Sequence, residues 1–212
     1  MQDELNILRE IGSIASGHGS TALSDILRQK INLTFPSIDI ITPLEVPARI
    51  KVEEMAIVII SRILVGLEGE VAVIFNSENA AKLINLSCTT DGIVKSSPGF
   101  ITELGLSAIK EIGNIIIASY LNALSLLFKK MIIPPSPTVF SGSVEDILNV
   151  ILATHKDTEY CYLVEAVFEE PRSNLKGEFS LILTPYAASD INTMCRKMLT
   201  NGGQEDISDP LN

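Results

Sequence analysis

The sequence contains no tryptophan, only two histidines and three cysteines, and 5% aromatic residues. Each scarcity removes a class of chemistry. Cys88, Cys161 and Cys195 are odd in number and lack C-x-x-C spacing, so neither a disulfide framework nor a zinc site is expected. They read as inert core residues of a protein in a reducing cytoplasm. His18 and His155 lie far apart with no nucleophile motif beside them, which leaves a Ser/His/Asp triad without support. His18, between Gly17 and Gly19, is expected to pack locally, and His155 in "THKDTE" to occupy a loop. There is no Walker loop, no G-x-G-x-x-G and no H-E-x-x-H, so no metal site or cofactor of the protein's own is expected.

Basic residues are also few. Sixteen Lys and Arg against 26 Asp and Glu give a net charge of −10, the wrong sign for a surface that neutralises nucleic-acid phosphates. The opening "MQDELNILRE" has no basic stretch followed by an apolar run and does not read as a signal peptide. The longest charge-free apolar run, residues 112–128, falls short of the roughly 20 residues a membrane span needs. Asn114, Asn122 and two serines interrupt it, so it reads as a buried helix and no membrane insertion is expected.

What the sequence does have is 46% hydrophobic residues over 212 positions, enough for a sizeable core, and an internal repeat. "LREIGSIASGHGSTALSDILRQKINLTFPSI" (8–38) aligns without gaps on "IKEIGNIIIASYLNALSLLFKKMIIPPSPTV" (109–139), at a constant offset of 101. Glu10 falls on Glu111, Gly12 on Gly113, Ser13 on Asn114 and Pro36 on Pro137. Further along, "EGEVAVIFNSENAAKLIN" (68–85) matches "KGEFSLILTPYAASDINT" (176–193) at an offset of 108. A repeat of about 100 residues is too long for a solenoid unit, so the chain reads as a duplicated domain with two related halves. The expected parts are a first repeat at 1–88, a linker at 89–99 ("TTDGIVKSSPG"), a second repeat at 100–200 and a disordered acidic tail at 201–212, with both repeats folding as one domain.

Each half reads as a long helix, an extended region, a central hairpin and a shorter terminal helix. Helical periodicity covers about residues 3–28 and 102–129. Residues 31–41 read as extended, with Pro36 marking an edge or a bend. The hairpins are "AIVIISRILVG" with "GEVAVIF", and "CYLVEAVFEE" with "GEFSLILTP". Ser77 before Glu78 is expected to cap the first terminal helix, and residues 187–199 form the second. Met194 and Met198 fall at core spacing in it. The fold class is α+β, an antiparallel sheet with long helices on one face or around it.

On the second long helix Ser107, Glu111 and Asn114 follow i, i+4, i+7 spacing and share one face. Asn6, Glu10 and Ser13 form the matching line in the first. Any amphipathic helix shows a polar stripe. Yet both copies use Glu followed by a short polar residue, where Lys or Arg would serve solubility, and both place a proline 23 positions later. Asn also costs about half a kcal/mol against Ala inside a helix.

The pattern D/S-x3-E-x2-N-x22-P, carried by Ser107, Glu111, Asn114 and Pro137, resembles that of the CheC/FliY/CheX chemotaxis phosphatases over about residues 4–200. The phrases "EIGN" and "EIGSIASGHGSTALS", the length and the duplication resemble the CheC branch most. The resemblance implies a cytoplasmic phosphatase acting on the aspartyl-phosphate of a CheY-like response regulator, whose own Mg²⁺ and lysine hold the phosphoryl group. Asn114 then orients the attacking water, and Glu111 pairs with the partner's lysine. Ser107 is supporting and Pro137 shapes the helix-to-strand exit. Asn6, Glu10, Ser13 and Pro36 form a degenerate second site, in which a serine hydroxyl replaces the longer carboxamide. The resemblance also implies an alternative, a non-catalytic adaptor that docks a regulator or a CheD-type deamidase.

Overall fold

In a computed structural model, which describes residues 2–50, 55–87, 101–153 and 158–201, the chain runs through one order of elements twice. The first pass is α1 (Gln2–Leu27), β1 (Asn32–Ile41), α2 (Val46–Arg49), β2 (Ala56–Ile63), β3 (Gly69–Asn76) and α3 (Ser77–Ser87). The second is α4 (Glu103–Phe128), β4 (Thr138–Gly142), α5 (Val144–Leu152), β5 (Cys161–Glu170), β6 (Leu175–Leu183) and α6 (Pro185–Asn201). The expected linker at 89–99, the tail from 202 onward, Cys88 and His155 lie outside the described residues, and Asn201 is the last residue of α6.

The six strands form one antiparallel sheet in the order β1-β5-β6-β3-β2-β4. Replacing each strand by its counterpart in the other half gives the same order read from the other edge. The register agrees: at the central pairing Ala72 stands opposite Ser180, its own counterpart at the 108-residue offset. A two-fold axis normal to the sheet at that point accounts for both facts. Each half lends its first strand to the other half's hairpin, β1 to β5 and β4 to β2. Both lent strands lie at the edges, where proline is tolerated because no neighbour needs its missing N–H. Pro36 falls within the register shift between Thr34 and Ser37 of β1, and Pro137 immediately precedes β4.

Helices cover both faces of the sheet, so the layout is the "around it" form of α+β. One core joins α1, α3, α4 and α6 to Ile57, Ile59, Val71, Val73, Phe75, Val164, Phe168 and Phe179. Tyr120 of α4 stacks at a tilt on Phe179, ring centroids 4.4 Å apart. On the other face α2 and α5 bury Val46, Ile50, Val144, Leu148 and Leu152 against Val58, Ile60, Ala72, Ile74, Leu163 and Ile182. β2 and β3 are thus buried on both sides, which is why "AIVIIS" and "VAVIF" are continuously apolar rather than alternating. These two short helices stand outside the expected order of elements.

The long helices end alike. Arg28 and Lys129, counterparts at the 101-residue offset, both adopt the left-handed conformation, with φ of 51° and 50°. Ser24 Oγ accepts from Ile31 N at 2.9 Å after α1, and Ser125 Oγ donates to Lys130 O at 2.6 Å after α4. Two expectations are corrected. The cap of α3 is Asn76, whose Oδ1 accepts from Asn79 N at 2.8 Å, and Ser77 is already helical. His18 is exposed on α1 rather than packed, because the buried face of that helix runs through Ala15, Ser16 and Gly19. Cys161 is a buried free thiol pushed up to about 11, by burial first and then by the carboxylates of Glu45 and Glu70. Within α4, residues Glu103–Leu126 are long and apolar enough to cross a membrane, and half of that length is buried inside this protein.

Candidate functional site

The site is built on α4, and what fixes α4 is its underside. Ile109, Ile112, Ile116, Ile117, Tyr120 and Leu121 are buried at helical spacing. Gly113 lets the helix drop onto β2: a Cβ there would lie 2.6 Å from Cγ2 of Ile59. Thr102 caps the start, its Oγ1 accepting from Gly105 N at 3.1 Å. With that face committed to the core, Ser107 and Glu111 are exposed and Asn114 is half-buried on the outward side. Ser107 Oγ donates to Glu103 O at 3.0 Å, so its hydroxyl is used within the helix. Neither Glu111 nor Asn114 makes a hydrogen bond or ion pair among the described residues. Asn114 presents a free carboxamide, with Glu111 one turn before it.

Asn6, Glu10 and Ser13 are exposed on α1 in the same relation. The helices pack together where Gly19 faces Tyr120, again counterparts at the 101-residue offset. A two-fold normal to the sheet reverses any direction lying in it, so α1 and α4 run antiparallel and the two stripes fall on opposite sides of the crossing. Ser13 and Asn114 are each six residues before it, which separates them by about 18 Å along the helices. The structure therefore does not merge the two lines into one site. Pro137 is buried at the start of β4, the strand beside the one that carries α4, and is not part of the polar face.

Two side chains at the stripe escaped the spacing argument. Leu104, one turn before Ala108, is 59% exposed at the rim. Lys110 is exposed one turn before Asn114, on the flank opposite Glu111. The signal for Lys110 was available, since Arg9 precedes Glu10 in the same way.

Asn114 lines none of the described recesses. Two recesses among the described residues lie on the α2/α5 side of the sheet: one of about 340 Å³ lined by Ser37, Arg49, Glu165 and Glu178, and one of about 450 Å³ lined by Thr34, Asn76, Lys176 and Glu178. Among the described residues no group of three or more His, Cys, Asp or Glu is placed to hold a metal. A stripe of exposed polar side chains on a helix can grip a partner's surface.

The sequence pattern of the CheC-like family matches residues 104–141, the stretch that holds Ser107, Glu111, Asn114 and Pro137. The chain is 29% identical over 136 residues, 64% of its length, to the flagellar motor switch phosphatase FliY of Bacillus subtilis. It is 28% identical over 147 residues, 65% of its length, to the CheY-P phosphatase CheC of the same organism. The crystal structure of Thermotoga maritima FliY superimposes with a TM-score of 0.75 at 24% identity, covering 93% of this chain and 98% of that one. The chain is similar in sequence to CheC and FliY proteins and shares the fold of FliY. The matches span 35% of the Bacillus FliY and 66% of the Bacillus CheC, less than two thirds of either. The CheC/FliY fold accounts for the α+β arrangement, with its single antiparallel sheet and long packed helices.

Proposed function

We propose that this protein hydrolyses the aspartyl-phosphate of a CheY-like response regulator in the cytoplasm, through the α4 face. The observation that carries this reading is Asn114, a carboxamide with no partner among the described residues, on the outward side of a helix whose other side is locked to the sheet. An acyl phosphate needs little covalent help, because phosphoryl transfer depends mainly on positioning and electrostatics. The Asn114 amide enters the regulator's site and orients a water in line with the phosphorus. The water oxygen bonds to phosphorus as the bond to the aspartyl oxygen breaks. The electron pair of that bond returns to the aspartate as carboxylate, and inorganic phosphate leaves with the water's oxygen, its surplus proton passing to solvent. The Mg²⁺ in this step belongs to the regulator.

Glu111 sets the docking register by pairing with the regulator's lysine, a charge-assisted contact worth roughly 1.5–3 kcal/mol when desolvated. Ser107, already bonded to its own helix, supports that face, and Pro137 shapes the bed on which α4 rests. On α1 the hydroxyl of Ser13 is too short to replace the amide, so Glu10 grips without hydrolysis. That degenerate face favours a second reading, an adaptor that docks a regulator or a CheD-type deamidase. The decay rate of a phosphorylated regulator, measured with the parent protein and with Asn114→Ala, separates the two. Hydrolysis that depends on Asn114 supports the phosphatase, and an unchanged decay rate with tight binding supports the adaptor.

A further inference from the structure

Several charged side chains of this acidic protein are in ion pairs. Arg49 meets Asp39 and Glu165, Arg62 meets Glu70, Lys82 meets Glu78, Lys130 meets Asp190, and Lys176 meets Glu169. Lys110 stands outside these pairs. It is exposed and has no ion pair or hydrogen bond among the described residues. Its helix neighbours at three and four positions are Leu106, Ser107, Gly113 and Asn114, none of them acidic. Glu111 follows it directly, about 100° around the helix, and adjacent helical residues do not face each other.

Its position is specific. Lys110 lies one turn before Asn114 and about 40° around the helix from it, while Glu111 lies about 60° away on the other flank. Residues at this spacing have Cβ atoms about 6 Å apart, well within reach of a lysine side chain. In the first half Arg9 holds the same place before Ser13, and its neighbours at three and four positions, Leu5, Asn6, Gly12 and Ser13, are likewise free of acidic groups. In a chain with a net charge of −10, a cation one turn before Asn114, and one at the matching place before Ser13, opposes the repulsion that an anionic partner meets.

We propose that Lys110 is a specificity-determining residue that pairs with the phosphoryl oxygens of the docked regulator and makes the α4 face prefer the phosphorylated form. The inference rests on the phosphatase reading above and adds what distinguishes substrate from product. Lysine suits the task, since it approaches phosphate as a point charge on a flexible stem.

The test is calorimetric binding to a regulator in two states, unmodified and trapped with Mg²⁺ and beryllofluoride, together with steady-state hydrolysis. Lys110→Met is expected to lose about tenfold in affinity for the beryllofluoride form, on the scale of one charge-assisted contact. Affinity for the unmodified form should change less than twofold. KM should rise with kcat nearly unchanged, and Lys110→Arg should restore the preference. An unchanged preference in Lys110→Met, or equal weakening toward both forms, overturns the assignment. Parent protein that hydrolyses the phosphate while Lys110→Met keeps the preference sinks this inference alone. Parent protein without hydrolysis sinks the phosphatase reading and this inference with it.

Discussion

Asparagine in mid-helix gains nothing for α4 itself: its propensity is poor and its amide makes no bond among the described residues. The spacing of Ser107, Glu111 and Asn114 was legible in the sequence, because helical periodicity alone puts them in line. Which side of the helix meets solvent follows from the row of isoleucines beneath them. The role of His18 was not legible, since flanking glycines do not tell which face a residue occupies. A second residue-scale asymmetry separates the hairpins. Glu70 stands opposite Arg62, whereas its counterpart Glu178, 108 residues on, stands opposite Val167. Burial, and then the nearby carboxylate of Glu165, raise the pKa of Glu178 above the usual glutamate value. The folded chain therefore takes up this proton at higher pH than the unfolded chain. Its contribution to stability falls as pH rises from the ordinary carboxylate range through the raised value. Glu178→Gln is expected to melt higher than the parent at pH 7 and to lose that advantage near pH 4, where both side chains are neutral. A variant that melts lower than the parent at pH 7 contradicts this account.

At the scale of elements, Gly113 sets the height of α4, and with it the stripe of Ser107, Glu111 and Asn114, above the sheet. Gly113→Ala gains about 1 kcal/mol of helix propensity, but its methyl meets Ile59, which is fully buried. Overpacking of this kind costs about 1–3 kcal/mol, so a net loss of roughly 1 kcal/mol is expected in denaturant unfolding. Ile59→Val in the same background should recover part of it, and additive effects of the two changes would show that Gly113 and Ile59 do not press on each other. Other elements were unequally legible. The terminal helix α3 was, although its cap lies one residue earlier because Asn76 competes with Ser77 for the same role. The short helix α5 carried a readable signal: Ser143 Oγ accepts from Asp146 N at 3.3 Å, the S-x-x-D arrangement, with apolar residues at helical spacing after it. The single turn of α2, with Pro47 near its start, is too short to have a period.

For the whole molecule, the repeat made a doubled order of elements legible but not the order of strands. A repeat does not say whether strands pair within a half or between halves, and here β1 and β4 cross over. From that exchange we expect the segments 1–88 and 100–200 to fold as one domain. Residues 100–200 expressed alone lose β1 from beside β5, though β5 keeps β6, and leave β4 without β2. They should lack a cooperative unfolding transition, and mixing with residues 1–88 should restore one. An independently folded 100–200 segment, with protected amides in β5, would contradict this. The same two-fold keeps the two stripes about 18 Å apart along the helices. The most direct measurement is the decay of a Mg²⁺-bound, phosphorylated CheY-like regulator with catalytic amounts of this protein. The account predicts acceleration by the parent and a loss of about 100-fold in kcat/KM for Asn114→Ala, the scale of removing one positioned polar group, with an unchanged melting temperature. Equal acceleration by both proteins would contradict it.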